Sequence, residues 1–213
     1  MSDKITLKEA QERFNKKVKN VKYNCPKTKD KGKPGILLEK ELGIKNGPEC
    51  LDCLDGEIKS FEVLKKDNNY ETKETISITM RGLKIDGARP TGNLIDKGVP
   101  WEDSYLKKKI NNVLFVPYIR NNDTIEFICA INFNSSHKKF QQLKNDYDKI
   151  ISYYETNGIC QIQDRKDKNY KGTTIKGTTY IQGRTKGGGM KKSGKRTVGF
   201  YFMKDFVNYI ILD

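Results

Sequence analysis

Asp52-Cys53-Leu54-Asp55-Gly56-Glu57-Ile58-Lys59 is the stretch on which the reading of this chain turns. From Glu57 to Val63 polar and apolar residues alternate, the period-two signature of a strand. Alternation puts Glu57 and Lys59 on one face of that strand, about 7 Å apart. Asp52 and Asp55 precede it, and the spacing leaves open which of them a turn or neighbouring strand brings alongside. Two carboxylates and the Ile58 carbonyl are hard oxygen donors of the kind that suit Mg2+. Lys59 is placed to orient an attacking water or help deprotonate it. Glu39, upstream, can add a third carboxylate. These groups suit phosphodiester hydrolysis, which needs an activated water, a neutralised phosphate and a stabilised leaving oxygen. Charged residues make up 32% of the chain, so the pattern taken alone marks a solvated strand more often than a site. Context has to decide.

Upstream, Thr6 and Glu9 are spaced as a capping box, and Leu7, Ala10, Phe14, Val18 and Val21 recur at helical spacing. They predict a helix over about 7–20. Residues 24–33 read as a basic loop. Pro34 and Gly43 bracket a short helix that carries Glu39. Downstream, residues 74–80 alternate as 57–63 do, and Lys66–Asn69 reads as the loop joining the two in a hairpin. Gly and Pro punctuate 81–100, and a short helix follows Trp101 through Leu106 and Ile110. Apolar strands are expected at 113–119 and 125–133, joined by a turn at 120–123. Ser135 or Ser136 can cap a long helix whose face is Phe140, Leu143, Tyr147, Ile150, Ile151 and Tyr154. Strands near 159–163, 178–182 and 197–202 and a helix over 204–212 complete the chain. Helices and strands mix without a βαβ rhythm or an internal repeat. The fold class expected is mixed α/β (α+β), with a central mixed sheet flanked by helices.

The chain has 213 residues, enough to bury roughly 70% of its unfolded surface without staples. No apolar run approaches the roughly 18 residues of a membrane span, and the N-terminus, Met1-Ser2-Asp3-Lys4, is charged where a signal peptide is apolar. A cytoplasmic protein with no membrane partner is expected. Five cysteines are an odd number for a disulfide framework. Cys50 and Cys53 form a CxxC, but with no second pair and only His137 a zinc centre lacks ligands, and reduced packing thiols are the better reading. Lys and Arg number 41 against 27 Asp and Glu, for a net charge of +14. Eleven basic residues lie between Arg165 and Arg196, interleaved with glycines and opposed only by Asp164 and Asp167. A flexible basic segment suits the recurring phosphates of a nucleic acid, though a solvated charge run in a Lys-rich sequence looks the same.

Several blocks, in order, resemble the MutH family, which includes a mismatch-repair nicking endonuclease and type II restriction endonucleases that recognise GATC. They are Lys31-Gly-Lys-Pro-Gly-Ile-Leu-Leu-Glu39, Leu42-Gly43, Pro48-Glu49, Glu57-Ile-Lys59, Val99-Pro-Trp101-Glu102-Asp-Ser104 and Val113-Leu-Phe-Val-Pro117, then Tyr180-Ile-Gln-Gly-Arg184-Thr-Lys186 and Gly199-Phe-Tyr201-Phe-Met-Lys204-Asp-Phe206. The resemblance implies a restriction-endonuclease-like fold of the PD-(D/E)xK type, with two closely packed lobes forming a DNA cleft. The whole chain, 1–213, would be one endonuclease domain, with a catalytic core over about 24–135 and a DNA-reading, basic-loop region over about 159–206. By the same resemblance Glu39, Asp52, Glu57, Lys59 and Lys109 form the active site, with Asp52 and Glu57 as ligands for Mg2+, for which Mn2+ can substitute. Lys31 falls at a DNA-contacting lysine, and Lys186 lies in the lobe that reads bases. Arg184 falls at the arginine that reads guanine, a bidentate pairing with a geometric basis. Tyr201 falls at a tyrosine implicated in sensing adenine methylation, although a core aromatic in a Phe-Tyr-Phe strand is the competing reading. Asp52 and Glu57 stand closer together than in the repair enzyme, and Gly183 and Thr185 flank Arg184 where that enzyme has Ile and Pro. The partners expected are double-stranded DNA, a second copy of the chain on DNA, and a cognate DNA methyltransferase. A type II restriction enzyme is favoured over a repair nickase, because the Lys/Asn/Ile-rich composition suggests an AT-rich source. A non-catalytic basic nucleic-acid-binding protein would explain the charge but not the four residues Glu39, Asp52, Glu57 and Lys59 together.

Overall fold

A computed structural model of the chain describes residues 4–28, 30–45, 50–79, 99–157, 170–171, 174–175, 177–185 and 198–212. In chain order the elements are α1 (Leu7–Lys17), β1 (Lys22–Asn24), α2 (Lys33–Leu42), β2 (Glu57–Lys66), β3 (Asn69–Thr72) and β4 (Ile76–Thr79). A 3-10 turn at Trp101–Asp103 leads into α3 (Tyr105–Ile110), β5 (Asn112–Asn121), β6 (Thr124–Phe127), β7 (Ile131–Asn134) and α4 (Phe140–Asn157). Then come β8 (Tyr170–Lys171), β9 (Thr174–Ile175), β10 (Ile181–Thr185), β11 (Val198–Phe202) and α5 (Lys204–Leu212). The chain divides into two compact units. One comprises Met1–Glu74, Lys109–Ser135 and Val207–Asp213, the other Thr75–Lys108 and Ser136–Phe206.

The first unit holds a sheet in the order β1-β6-β5-β2-β3, with β7 also on β5. Only β2 and β5 are parallel, and the other pairs are antiparallel. This mixed central sheet with its helices is what the alternation in the sequence predicts, and it is compatible with a restriction-endonuclease-like fold. β5 is the middle strand and is buried from Val113 to Tyr118, as a strand covered on both faces must be. On one side Leu114, Val116 and Tyr118 join Phe14 of α1 and Leu38 and Leu42 of α2 in a single core. On the other, the Phe115 ring meets those of Phe61 and Phe133 at 6.1 and 6.2 Å. The capping box forms as read: the Glu9 amide donates to the Thr6 hydroxyl, and the Glu9 carboxylate accepts from the Thr6 amide.

Four expectations change. The hairpin partner of β2 is β3, not residues 74–80. Asp67 adopts φ 51, and a two-residue turn pairs Lys66 directly with Asn69, closing the ribbon at once. β4 instead pairs with β11 in the second unit, in a sheet ordered β10-β11-β4, and buries Ile76 and Ile78 there. The strand expected over 125–133 is two strands on one edge of β5. Tyr118 opposes Phe127 but Phe115 opposes Ile131, so one extra residue bulges out between them. The break falls at Pro117, which accepts from the Ile128 amide at 3.0 Å but has no N–H to return. Neither Ser135 nor Ser136 starts the long helix at its own position. The Ser135 amide still bonds to Asn111, and the first helical amide, Phe140, donates to the His137 carbonyl at 2.8 Å. Residues 179 and 180 bend before β10 begins at Ile181. The strand expected near 159–163 lies outside the described residues.

Candidate active site

β2 begins at Glu57, and six residues of it run parallel to β5 with Glu57 opposite Val113. Glu57 is only 2% exposed. Its two oxygens take one ammonium each: Lys59 Nζ lies 2.6 Å from Oε1 and Lys109 Nζ 2.7 Å from Oε2. Lys59 reaches it because strand residues two apart share a face. Lys109 reaches it from the end of α3, where the chain turns into β5, the partner of β2. A buried carboxylate is tolerable when its charge is compensated and both oxygens accept hydrogen bonds, and here two lysines from separate elements do so.

Asp52 stands beside this group. Its Oδ2 accepts from the Ile58 amide at 2.9 Å. In an extended strand a residue's N–H and C=O face the same side, so the Ile58 carbonyl lies on the strand edge where Asp52 sits. The loop from Asp52 to Gly56 is tight. The Cys53 amide donates to the Gly56 carbonyl at 3.0 Å, and the Leu54 amide to Ile5 at 2.9 Å. A Cβ on Gly56 would meet Leu7 Cδ1 at 2.3 Å and the Asn112 carbonyl at 2.5 Å, so only glycine lets the loop pass between α1 and β5. The loop parts the two aspartates. Asp55 Oδ1 accepts from the Leu7 amide at 2.7 Å, at the N-terminus of α1, where a carboxylate satisfies an otherwise unpaired helix amide. Asp52 faces Glu57, and Asp55 serves the helix.

Glu39 sits in the last turn of α2, half-buried, with its carbonyl accepting from the Ile44 amide at 2.8 Å behind the left-handed Gly43. Arg13 of α1 donates to the Leu42 carbonyl at 2.8 Å and so holds that helix end. The carboxyl of Glu39 is held above the usual carboxylate range by burial and then by the charge of Asp52, with Lys59 opposing. Asp52 is raised likewise, by burial and then by Glu57, against the pull of Lys59, the Ile58 amide and Lys109. Glu39, Asp52, Glu57, Lys59 and Lys109 are therefore one electrostatic group.

Among the described residues no three Asp, Glu, His or Cys side chains form a ready-made metal cage. The donor set instead fits a cation that needs few protein ligands. Mg2+ keeps several waters and binds through one or two carboxylates, and Asp52, Glu57 and the Ile58 carbonyl are all oxygen. Cys53 is buried beside Asp52, and burial pushes its thiol up to about 12, the behaviour of a packing cysteine rather than of a thiolate ligand.

The residues expected to meet DNA are placed unequally. Lys31 is at the surface, its side chain 79% exposed, in an ion pair of 2.9 Å with Glu74. Arg184 is on β10 opposite Gly199 of β11. Tyr201 pairs with Gln182 on one side and Ser77 on the other, and is 9% exposed, as a core aromatic would be. Lys186 lies outside the described residues. Sequence reading missed Asp146, 0% exposed in α4, because Lys144, Asn145 and Asp148 around it look like a solvated helix face. Its only signal is its place one residue before Tyr147 of the apolar stripe.

The chain is 29% identical over 143 residues to the DNA mismatch repair protein MutH of Haemophilus ducreyi. The match covers 63% of this chain and 57% of that protein, so it spans little more than half of the relative's length. No protein-family model matches the chain. This similarity supports the resemblance read from the sequence at the level of the nuclease superfamily.

Proposed function

We propose that this protein is a Mg2+-dependent endonuclease that hydrolyses phosphodiester bonds in duplex DNA at specific sites, as a type II restriction enzyme does. The observation that carries the reading is the meeting of Glu57 and Lys59 of β2 with Asp52 from the loop before it and Lys109 from the end of α3, with Glu39 within electrostatic reach. The likeness to a DNA mismatch repair protein supports it independently. Asp52, Glu57 and the Ile58 carbonyl would hold the cation. Mg2+, or Mn2+ in its place, would supply Lewis-acid stabilisation of the phosphoryl oxygens. Lys59 orients the attacking water and Lys109 steadies Glu57 from the opposite side. Glu39 adds negative charge that favours cation binding.

On the DNA side, Lys31 contacts a phosphate and Arg184 reads a guanine at or near a GATC-like site. Lys186 and the basic stretch from Arg165 to Arg196 grip the backbone, which makes binding fall steeply with salt. Tyr201, 9% exposed on β11, senses adenine methylation of the bound DNA. The protein works as a homodimer on DNA or by successive nicks, alongside a cognate methyltransferase. A second reading, a methyl-directed mismatch-repair nickase, is favoured by the name of the relative.

The test is incubation of plasmid, prepared with and without adenine methylation, with Mg2+, Mn2+ or EDTA. Discrete fragments ending at one sequence support the restriction reading. Nicking that stays slow until a repair partner is added supports the second. Tight binding with no cut strand under any condition leaves a non-catalytic nucleic-acid-binding protein and overturns both.

A further inference from the structure

Among the described residues of the second unit, Asp146 is the most completely buried ionisable side chain that the catalytic reading does not use. Its carboxylate meets backbone amides. Oδ1 accepts from Thr179 at 2.9 Å, and Oδ2 accepts from Tyr180 and, at 2.8 Å, from Ile181. Gln142, one turn earlier on α4, donates to Oδ1 at 2.9 Å and steadies the group. Lys149 donates to the Gly177 carbonyl at 2.6 Å, and Lys139 Nζ stands 5.6 Å from the centre of the Tyr180 ring. Residues 139, 142, 146 and 149 recur at helical spacing, so one stripe of α4 and its approach holds the segment 177–181.

Three successive amides turned toward one anion make a nest, a backbone shape that an extended strand cannot have. Successive strand amides point to opposite edges, so β10 can become extended only from Ile181 onward. The register follows: Ile181 opposes Phe202, and three residues later Arg184 opposes Gly199. Side chains alternate with period two, so a one-residue slip of β10 against β11 would reverse the sheet face on which position 184 falls.

We infer that Asp146 is a positioning residue for DNA specificity, its buried carboxylate anchoring residues 179–181 and so holding the register of β10 on β11, which sets the sheet face of position 184. The inference rests on the base-reading role proposed for Arg184. It makes a carboxylate near no nucleic-acid-binding residue in sequence a determinant of which DNA is chosen, while leaving how tightly DNA is held to the basic residues.

The experiment is selection from a randomised duplex library in Ca2+, with affinity for non-selected DNA measured across a salt series. Asp146→Asn keeps the shape but offers one acceptor oxygen to three amides. It should lower discrimination by about ten- to a hundredfold, the value of one bidentate base contact, while changing non-selected affinity by less than about twofold. Amide exchange at Thr179–Ile181 should quicken, and Arg184→Ala should add little discrimination loss on top of it. Gln142→Leu keeps the charge and removes only the steadying amide. It should show the same split at about threefold, and serves if Asp146→Asn does not fold. Wild-type discrimination in both variants, or equal loss of selected and non-selected binding, overturns the role of Asp146. A wild-type protein that selects no sequence overturns the base-reading proposal, and this inference falls with it.

Discussion

Glu57 in the first unit and Asp146 in the second are both carboxylates sealed from solvent, at 2% and 0% exposure, yet their partners are of different kinds. Three amides of the backbone and the amide of Gln142 surround Asp146. Around Glu57 are two side-chain ammonium groups and two further carboxyls, Asp52 and Glu39, both held above their ordinary range. Neutral donors fixed in the backbone satisfy a carboxylate permanently and make it scaffold. Carboxyls crowded together keep an electrostatic demand that a cation answers. Burial alone does not tell the two acids apart; the identity of their neighbours does.

The sharpest way to break this contrast is Glu57→Ala. It should lower plasmid cleavage by about two to three orders of magnitude with DNA binding retained in a gel-shift assay. Cleavage at the wild-type rate would end the view of this cluster as the working one. Next comes the pair of aspartates. Asp52→Asn should cost about two orders of magnitude in cleavage, while Asp55→Asn should leave cleavage near wild type and lower stability by about 1 kcal/mol, the scale of a lost helix-terminus acceptor. Matching cleavage losses in the two variants would show that the loop does not divide them as described.

A smaller effect should appear in thermal melting against pH in EDTA. Asp52 and Glu39 hold their protons more tightly folded than unfolded, so their contribution to stability is greatest at low pH. It declines as pH rises from the ordinary carboxylate range through the raised one. Asp52→Asn should therefore gain on the wild type as pH rises through that window, by about 2–4 °C for each kcal/mol relieved. Mg2+ should narrow the gap at neutral pH by stabilising only the protein that retains the carboxylate. A gap independent of pH would remove the electrostatic account. The least effect on stability is expected from Lys31→Ala, because its ion pair with Glu74 is exposed and worth little. The melting point should move by no more than about 2 °C, while the slope of log affinity against log salt should fall by about one.

Much of the fold was legible because local geometry writes it into short spacings. Thr6 with Glu9, Pro34 with Gly43, and the alternation from Glu57 act over one or two turns or a few strand residues. The same alternation delivered the Glu57–Lys59 pair directly. Residues 74–80 alternate as well as any strand, and alternation carries no information about which strand β2 takes as its hairpin partner. The break at Pro117 was visible as a proline but not as a bulge, since its missing N–H matters only once β6 and β7 lie on that edge.

Local spacing settled the helices over 7–17, 33–42 and 204–212 and the chemistry at hand: a strand with Glu57 and Lys59 on one face, carboxylates before it, and an excess of positive charge. The tertiary packing settled that Asp52 joins that strand while Asp55 holds α1, that Lys109 closes on Glu57 from 52 residues away, and that Asp146 of α4 holds the amides leading into β10. The physical reason is one of range. Side-chain direction along a helix or strand follows from covalent geometry over a few residues. The partner a buried charge finds depends on which distant segments share its interior, and no spacing in the chain records that.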